Sequence, residues 1–345
     1  MRCLVSGLLV IMPLLGQGRT QSEPSPGQRD SSPGSDFIRG LKVRAADGDL
    51  EAQYELGIAY AVGRGVPENR QTGATWVRQA AEQGHTKSQA YLGLLYEFGK
   101  GVQQDYQLAH YWFSKAANSG NPQAQASLGN MYQSGYGVPV DFKVAAKWFK
   151  IASDNGNIGA LNNLGVRYSL GQGVPQDYLL AVLWLNRAAE QNLAISQVLL
   201  GIMYGEGKYV PQNFKIAAEW YKKAAEQGRT DAQHYLGQLY IRGDGVEINN
   251  QLGIMWFRRA AEAGWVDSQF MLGICLSEGK LLPANDEDAH IWFNIAAANG
   301  HEMAGKMRDQ LESRMTREQI IQAQSRARKW NPKPQNVPLL QDKYD

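Results

Sequence analysis

The sequence predicts an all-α fold, a solenoid of seven tandem helix-turn-helix units with a capping helix at its N-terminal end and capping helices at its C-terminal end. Three observations carry that prediction. Seven tryptophans lie 36 residues apart: Trp76, Trp112, Trp148, Trp184, Trp220, Trp256 and Trp292. A Leu-Gly pair keeps the same period from Leu56-Gly57 to Leu272-Gly273, and no insertion or deletion breaks the frame. Within a period the apolar residues fall at helical spacing and are punctuated twice by glycine, so one structural unit has been copied seven times.

The first element expected is a half unit. Residues 37–48 close with Ala45-Ala46-Asp47-Gly48, as the second helix of every later copy closes, and form an N-terminal capping helix. The repeats follow as 49–84, 85–120, 121–156, 157–192, 193–228, 229–264 and 265–300. In the second copy, Ser88, Leu92, Leu95 and Tyr96 make the apolar stripe of a first helix, A, which Gly99-Lys100-Gly101 ends. Asp105 opens a second helix, B, as an N-cap. The same register holds Asn69, Asp141, Asp177, Asn213, Asn249 and Asn285, all residues whose side chain accepts from free first-turn amides.

Helix B carries Ala109, Trp112, Phe113, Ala116 and Ala117 on its apolar face, which places the tryptophan ladder in the core. Glycine ends this helix in six copies, and Asn192 takes its place in the fourth, asparagine being the next most tolerant residue of a left-handed conformation. Two loops depart from the pattern: Tyr209 and Leu281 replace the second loop glycine, so the fifth and seventh loops should bend differently. Residues 301–330 form C-terminal capping helices, the last opened by a Thr316/Gln319 capping box, and 331–345, with three prolines, form an irregular tail.

The ends and the composition bound the function. Residues 1–18 have the basic, apolar and small-residue order of a signal peptide, followed by a disordered Ser/Pro/Gly-rich leader over 19–36. They predict an exported protein, periplasmic or secreted, with a bacterial envelope favoured and no membrane-integral segment once the signal is removed. The net charge is +2 with 20% charged residues, too little field to recruit nucleic acid. Cys275 is the one thiol outside the signal region, so no internal disulfide forms in the mature chain.

No chemistry separates itself from the repeat. Gly93 to Lys100 and Gly273 to Lys280 mimic phosphate loops, but the glycine spacing is wrong and no Ser or Thr follows the lysine. The five histidines are scattered over different units with no second metal ligand at helical spacing. Glu97, Glu206 and Glu278 near helix A ends are expected as solvated carboxylates. Neither catalytic residues, cofactor nor metal is expected.

Together the residues Leu-Gly-x-x-Tyr, Gly-x-Gly-Val, Asp or Asn, Ala-x-x-Trp and Ala-Ala-x-x-Gly in a frame of 36 resemble the Sel-one-like repeat family, relatives of tetratricopeptide repeats, from about Asp49 to Gly300. The resemblance implies a right-handed α-helical superhelix that scaffolds protein complexes, with helix A lining a concave surface. Some cysteine-rich relatives were proposed to act on β-lactams; this chain lacks their paired cysteines.

On that surface the informative positions are those that vary while Leu-Gly and Trp do not. They point to Asn130, Gln133 and Asn162 in the middle of the array and His234, Gln238 and Arg242 further on. Trp265 lies inside the array but out of the tryptophan register, at a turn. It either folds back on its neighbour or stands as an exposed interface anchor. The predicted function is a non-catalytic scaffold or adaptor that binds a protein or an extended peptide. A secreted host-interaction factor is the alternative, and a hydrolase is disfavoured.

Overall fold

The computed structural model describes residues 33–207 and 209–333, and the signal-peptide expectation, most of the leader and most of the tail fall outside them. Among the described residues there are seventeen helices and no strand, an α-solenoid organisation of tandem helix pairs. The helix before the first repeat, α1, spans Pro33–Ala46, so it starts ahead of Phe37, with proline at the first helical position, where its missing amide costs nothing. The seven A helices are α2 (Leu50–Val62), α4 (Thr86–Phe98), α6 (Pro122–Ser134), α8 (Ile158–Leu170), α10 (Ala194–Glu206), α12 (Thr230–Arg242) and α14 (Val266–Glu278). The seven B helices alternate with them: α3 (Arg70–Glu82), α5 (Tyr106–Asn118), α7 (Phe142–Asp154), α9 (Tyr178–Glu190), α11 (Phe214–Glu226), α13 (Asn250–Glu262) and α15 (Asp286–Ala298). Two further helices, α16 (Ala304–Glu312) and α17 (Arg317–Arg328), close the described chain.

The chain divides into two compact units, up to Ala160 and from Leu161. In the first, α1 packs on α2 and each following helix on the next through α7. In the second, the same succession runs from α9 to α15, and α15 carries both α16 and α17.

Caps decide where each helix begins. The Asp/Asn register opens every B helix: Asp105 accepts from Gln107 N and Leu108 N, and Asn69, Asp177, Asn213, Asn249 and Asn285 each accept from an amide of their own first turn. Thr316 and Gln319 exchange both bonds of a capping box at the start of α17. Asn192 is the one non-glycine residue with positive φ among the described residues, at 66°.

The core has two kinds of ring: Trp112, Trp184 and Trp256 of the ladder are buried, as expected, while Trp76, Trp148, Trp220 and Trp292 are half-buried. The residue after each tryptophan is the enclosed one: Phe113, Phe149, Phe257 and Phe293 are fully buried. They fill a slot opened by the helix A glycine of the same copy. A Cβ on Gly93 would lie 2.5 Å from Phe113, and one on Gly273 would lie 2.5 Å from Phe293. The tryptophans instead cover the seam between successive B helices. Trp112 packs on Ala74, Val77 and Ala81 of α3, and Trp220 on Ala181, Leu185 and Ala189 of α9. Their outer faces stay accessible to a cation one turn on: Lys115 lies over Trp112, Arg187 over Trp184, Lys223 over Trp220 and Arg259 over Trp256, at 4.2 to 5.2 Å.

The A–B loops lean on the preceding copy. Gly101 takes φ +72°, and a Cβ there would lie 2.3 Å from the carbonyl oxygen of Arg70, the first residue of α3. Tyr209 and Leu281 have no positive φ, so their loops do follow a different path. Tyr209 stacks on Tyr178, the first residue of α9, with ring centroids 4.3 Å apart.

Candidate functional site

The surface of helix A is defined by what its packing consumes. A buried glutamine recurs near the start of the helix at Gln53, Gln89, Gln125, Gln197, Gln233 and Gln269. Each donates its Nε2 proton to an alanine carbonyl in the preceding helix's last turn, as Gln125 does to Ala117 O at 3.1 Å and Gln197 to Ala189 O at 3.1 Å. In several copies the amide oxygen accepts in return from the residue that ends the copy's own helix B: Asn155 Nδ2 donates to Gln125 Oε1 (2.9 Å), Gln227 Nε2 to Gln197 Oε1 (2.7 Å) and Asn299 Nδ2 to Gln269 Oε1 (3.0 Å). One side chain thus ties three helices and gives a helix-terminal carbonyl a second donor beside a backbone amide. The fourth copy has Leu161 in this register, and Gln191, its helix-ending residue, folds back on the Arg187 carbonyl.

This column escaped attention in the sequence, although the signal was the same 36-residue period. The second missed feature is Arg167, buried in a register that elsewhere holds Ala59, Leu95, Met131, Met203, Leu239 and Cys275. It donates to Gln172 Oε1 at 2.6 Å, and burial lowers its pKa.

The expected binding residues fall into two groups. Asn162 and His234 are buried, 8% and 6% exposed, and both face a serine one copy later. Ser196 Oγ donates to Asn162 Oδ1 at 2.9 Å. Gln238 Nε2 donates to His234 Nε2 at 3.0 Å, so the His234 proton sits on Nδ1 and is donated to Ser268 Oγ at 2.8 Å. Desolvation pulls the His234 pKa down to about 4, against a small opposing effect of Asp267. Alanine stands opposite the apolar members of the register, for instance Ala232 one copy after Val198.

Asn130, Gln133 and Gln238 are half-buried and Arg242 is exposed. Trp265 is half-buried and takes the N-cap position of α14 without capping it, its ring tilted over His234 with centroids 6.3 Å apart. Its Nε1 is buried and has no hydrogen-bond partner among the described residues. The helix A registers therefore bring Gln238, His234 and Trp265 together in the second unit, and Asn130 and Gln133 onto one helix, α6, in the first.

The carboxylates differ from expectation in one case. Glu206 and Glu278 are exposed, but Glu97 is half-buried and desolvation pushes its carboxyl up to about 7, because it closes α4 beside the loop that folds over it. Cys275 is buried, with its thiol pushed up to about 11 by desolvation, which leaves little thiolate at neutral pH. Among the described residues no three His, Cys, Asp or Glu side chains are grouped to hold a metal, and no helix is long and apolar enough to cross a membrane.

The family model for the Sel1 repeat matches seven times, over residues 50–85, 86–121, 122–157, 158–193, 194–228, 230–265 and 266–301. The chain belongs to the Sel1 repeat family. The crystal structure of a Sel1 repeat protein from Oxalobacter formigenes is similar with a TM-score of 0.69 and 32% identity, over 80% of this chain and 80% of that one. A protective antigen of uropathogenic Escherichia coli displaying the same repeat fold is 25% identical over 86% of this chain and 87% of its own, with a TM-score of 0.44. A Sel1 repeat protein from Klebsiella pneumoniae is 24% identical over 58% of this chain and 97% of its own, with a TM-score of 0.41. No curated protein matches. Sel1 repeat proteins are generally protein–protein interaction scaffolds, and the fold is typically non-catalytic.

Proposed function

We propose that this chain is an exported, non-catalytic adaptor that binds a protein or an extended peptide on its helix A surface, with no cofactor, metal or nucleic acid. What supports the choice of surface is a division of labour within helix A. The Leu, Gly and Gln registers are spent on packing, while Asn130, Gln133, Gln238 and Arg242 differ from copy to copy and keep access to solvent. Asn162, His234 and Trp265 act beneath this surface, fixing neighbouring A helices so that the outer side chains are held in place for a ligand. The short leader after an apolar N-terminus supports export, and an envelope complex or a secreted assembly would both use such an adaptor.

The test is capture of partners by the intact protein and by a variant with Asn130→Ala, Gln133→Ala and Arg242→Ala. These positions cost little stability, so loss of specific partners with an unchanged circular dichroism spectrum is the expected result. Undiminished capture of every partner rejects the surface. Fractionation of cells and medium separates a periplasmic adaptor from a secreted host-interaction factor.

A further inference from the structure

The end of the second unit carries a cleft of about 420 Å³ that the repeat period does not require. Its floor is apolar: Leu276, Ile291, Trp292 and Trp330, the two indoles meeting edge to face at 6.3 Å and 69°. Trp330 lies outside the 36-residue ladder, whose next step falls on Arg328, and it follows the last turn of α17.

The rim carries three cations, Arg258, Arg326 and Lys329, and two carboxylates, Glu262 and Asp288. Both carboxylates are already engaged. Lys333 Nζ holds Glu262 at 3.2 Å, and Arg326 holds Asp288 at 3.0 Å as well as Glu287 at 3.1 Å. Arg258 and Lys329 are exposed, and neither makes an ion pair among the described residues. The cleft therefore offers two unopposed cations above a floor of indole and aliphatic surface. A rim charge steers and selects a ligand of opposite sign, and a tryptophan in a pocket centre is the commonest kind of interface anchor.

We infer that this cleft is a docking site for an extended acidic segment of a partner protein, with a bulky apolar side chain seated against Trp292 and Trp330 and flanking carboxylates on Arg258 and Lys329. The site is separate from the helix A surface proposed above and goes beyond it. A phosphate-bearing polymer fits less well, since two cations and no anion-binding helix terminus face the cleft while its floor is apolar.

The experiment uses the intact protein and a fluorescein-labelled Gly-Ser peptide carrying Asp-Leu-Phe-Asp, with Asn-Leu-Phe-Asn and Asp-Ala-Ala-Asp versions as comparisons, followed by anisotropy at low and physiological salt. Saturable binding of the first peptide is expected, weakened about tenfold by the doubly charge-reversed Arg258→Glu, Lys329→Glu variant, both residues being exposed and dispensable for folding. Trp330→Ala should weaken it about thirtyfold, as for an interface hot spot. The Asn130→Ala, Gln133→Ala protein should bind the peptide unchanged, so failure here and failure of the helix A surface are told apart. Absence of binding, equal binding of any of the three peptides, or indifference to the charge reversal in a protein of unchanged thermal stability overturns the inference.

Discussion

Replacing Gln125 by leucine tests whether the glutamine column joins the repeats. Leucine keeps the volume, and the fourth copy already carries it as Leu161. The change removes two hydrogen bonds, from Gln125 Nε2 to Ala117 O and from Asn155 Nδ2 to Gln125 Oε1. The Ala117 carbonyl loses this donor but keeps the Gly120 amide at 3.0 Å, which costs about 1 kcal/mol, while the exposed Asn155 amide turns to water at a loss of about 0.5 kcal/mol. A net loss of about 1.5 kcal/mol follows. Gln89 provides the internal control. It donates to Ala81 O at 3.1 Å, but Ser119 ends its copy's helix B and is too short to reach back, so Gln89 Oε1 is buried without a partner. Gln89→Leu loses one bond and also relieves an unsatisfied acceptor, so it should cost only about 0.5 kcal/mol. Because repeat arrays open in parts, the assay is native-state hydrogen exchange of the last turns of α5 and α3, with urea unfolding followed by tryptophan fluorescence. Equal losses for the two substitutions, or no loss of protection at the end of α5 in Gln125→Leu, would refute the column as the joint.

Other outcomes follow from the same geometry. Ser119→Asn places a donor where Asn155 stands relative to Gln125, and should stabilise the second copy by about 1 kcal/mol in the same exchange experiment. Gly101→Ala meets both a φ of +72° and the Arg70 carbonyl, so it should cost about 3 kcal/mol by urea unfolding, whereas Gly120→Ala, with φ +83° and open space around it, should cost about 1 kcal/mol. His234 binds a proton at 6.5 when unfolded and only at about 4 when folded. Its neutral form therefore contributes fully above pH 6.5, and stability falls as pH drops from 6.5 toward 4, by up to about 3 kcal/mol. His234→Gln should flatten this part of the stability–pH profile, and an NMR titration of His234 with a midpoint near 6.5 would contradict the argument.

Much of the fold was legible because tandem copying repeats each physical requirement seven times: the capping Asp/Asn, the loop glycines and the Leu-Gly pair each announce a role by recurrence. Side-chain destinations were less legible. Size and recurrence place tryptophan in the core, and three of the seven rings are buried there. The glycine slot takes the residue after it, and volume alone cannot distinguish neighbours that point to adjacent faces of one helix. Variation was read as availability to ligand, which fails at Asn162 and His234. There a polar residue is balanced by Ser196 or Ser268 a copy later, and the compensation lies across the period where a column-by-column comparison does not look.

Those buried pairs also carry an address. Most joints of the array use the same parts and would accept any copy as a neighbour, but Asn162 needs Ser196 behind it and His234 needs Ser268. A recombined gene that placed the sixth copy before the fifth would set Asn162 against Ala232, at a cost of about 1 to 3 kcal/mol for the stranded polar group. The order of the copies is thus written into the interior, and a surface assembled from different helices in sequence keeps its order because the layer beneath it resists shuffling.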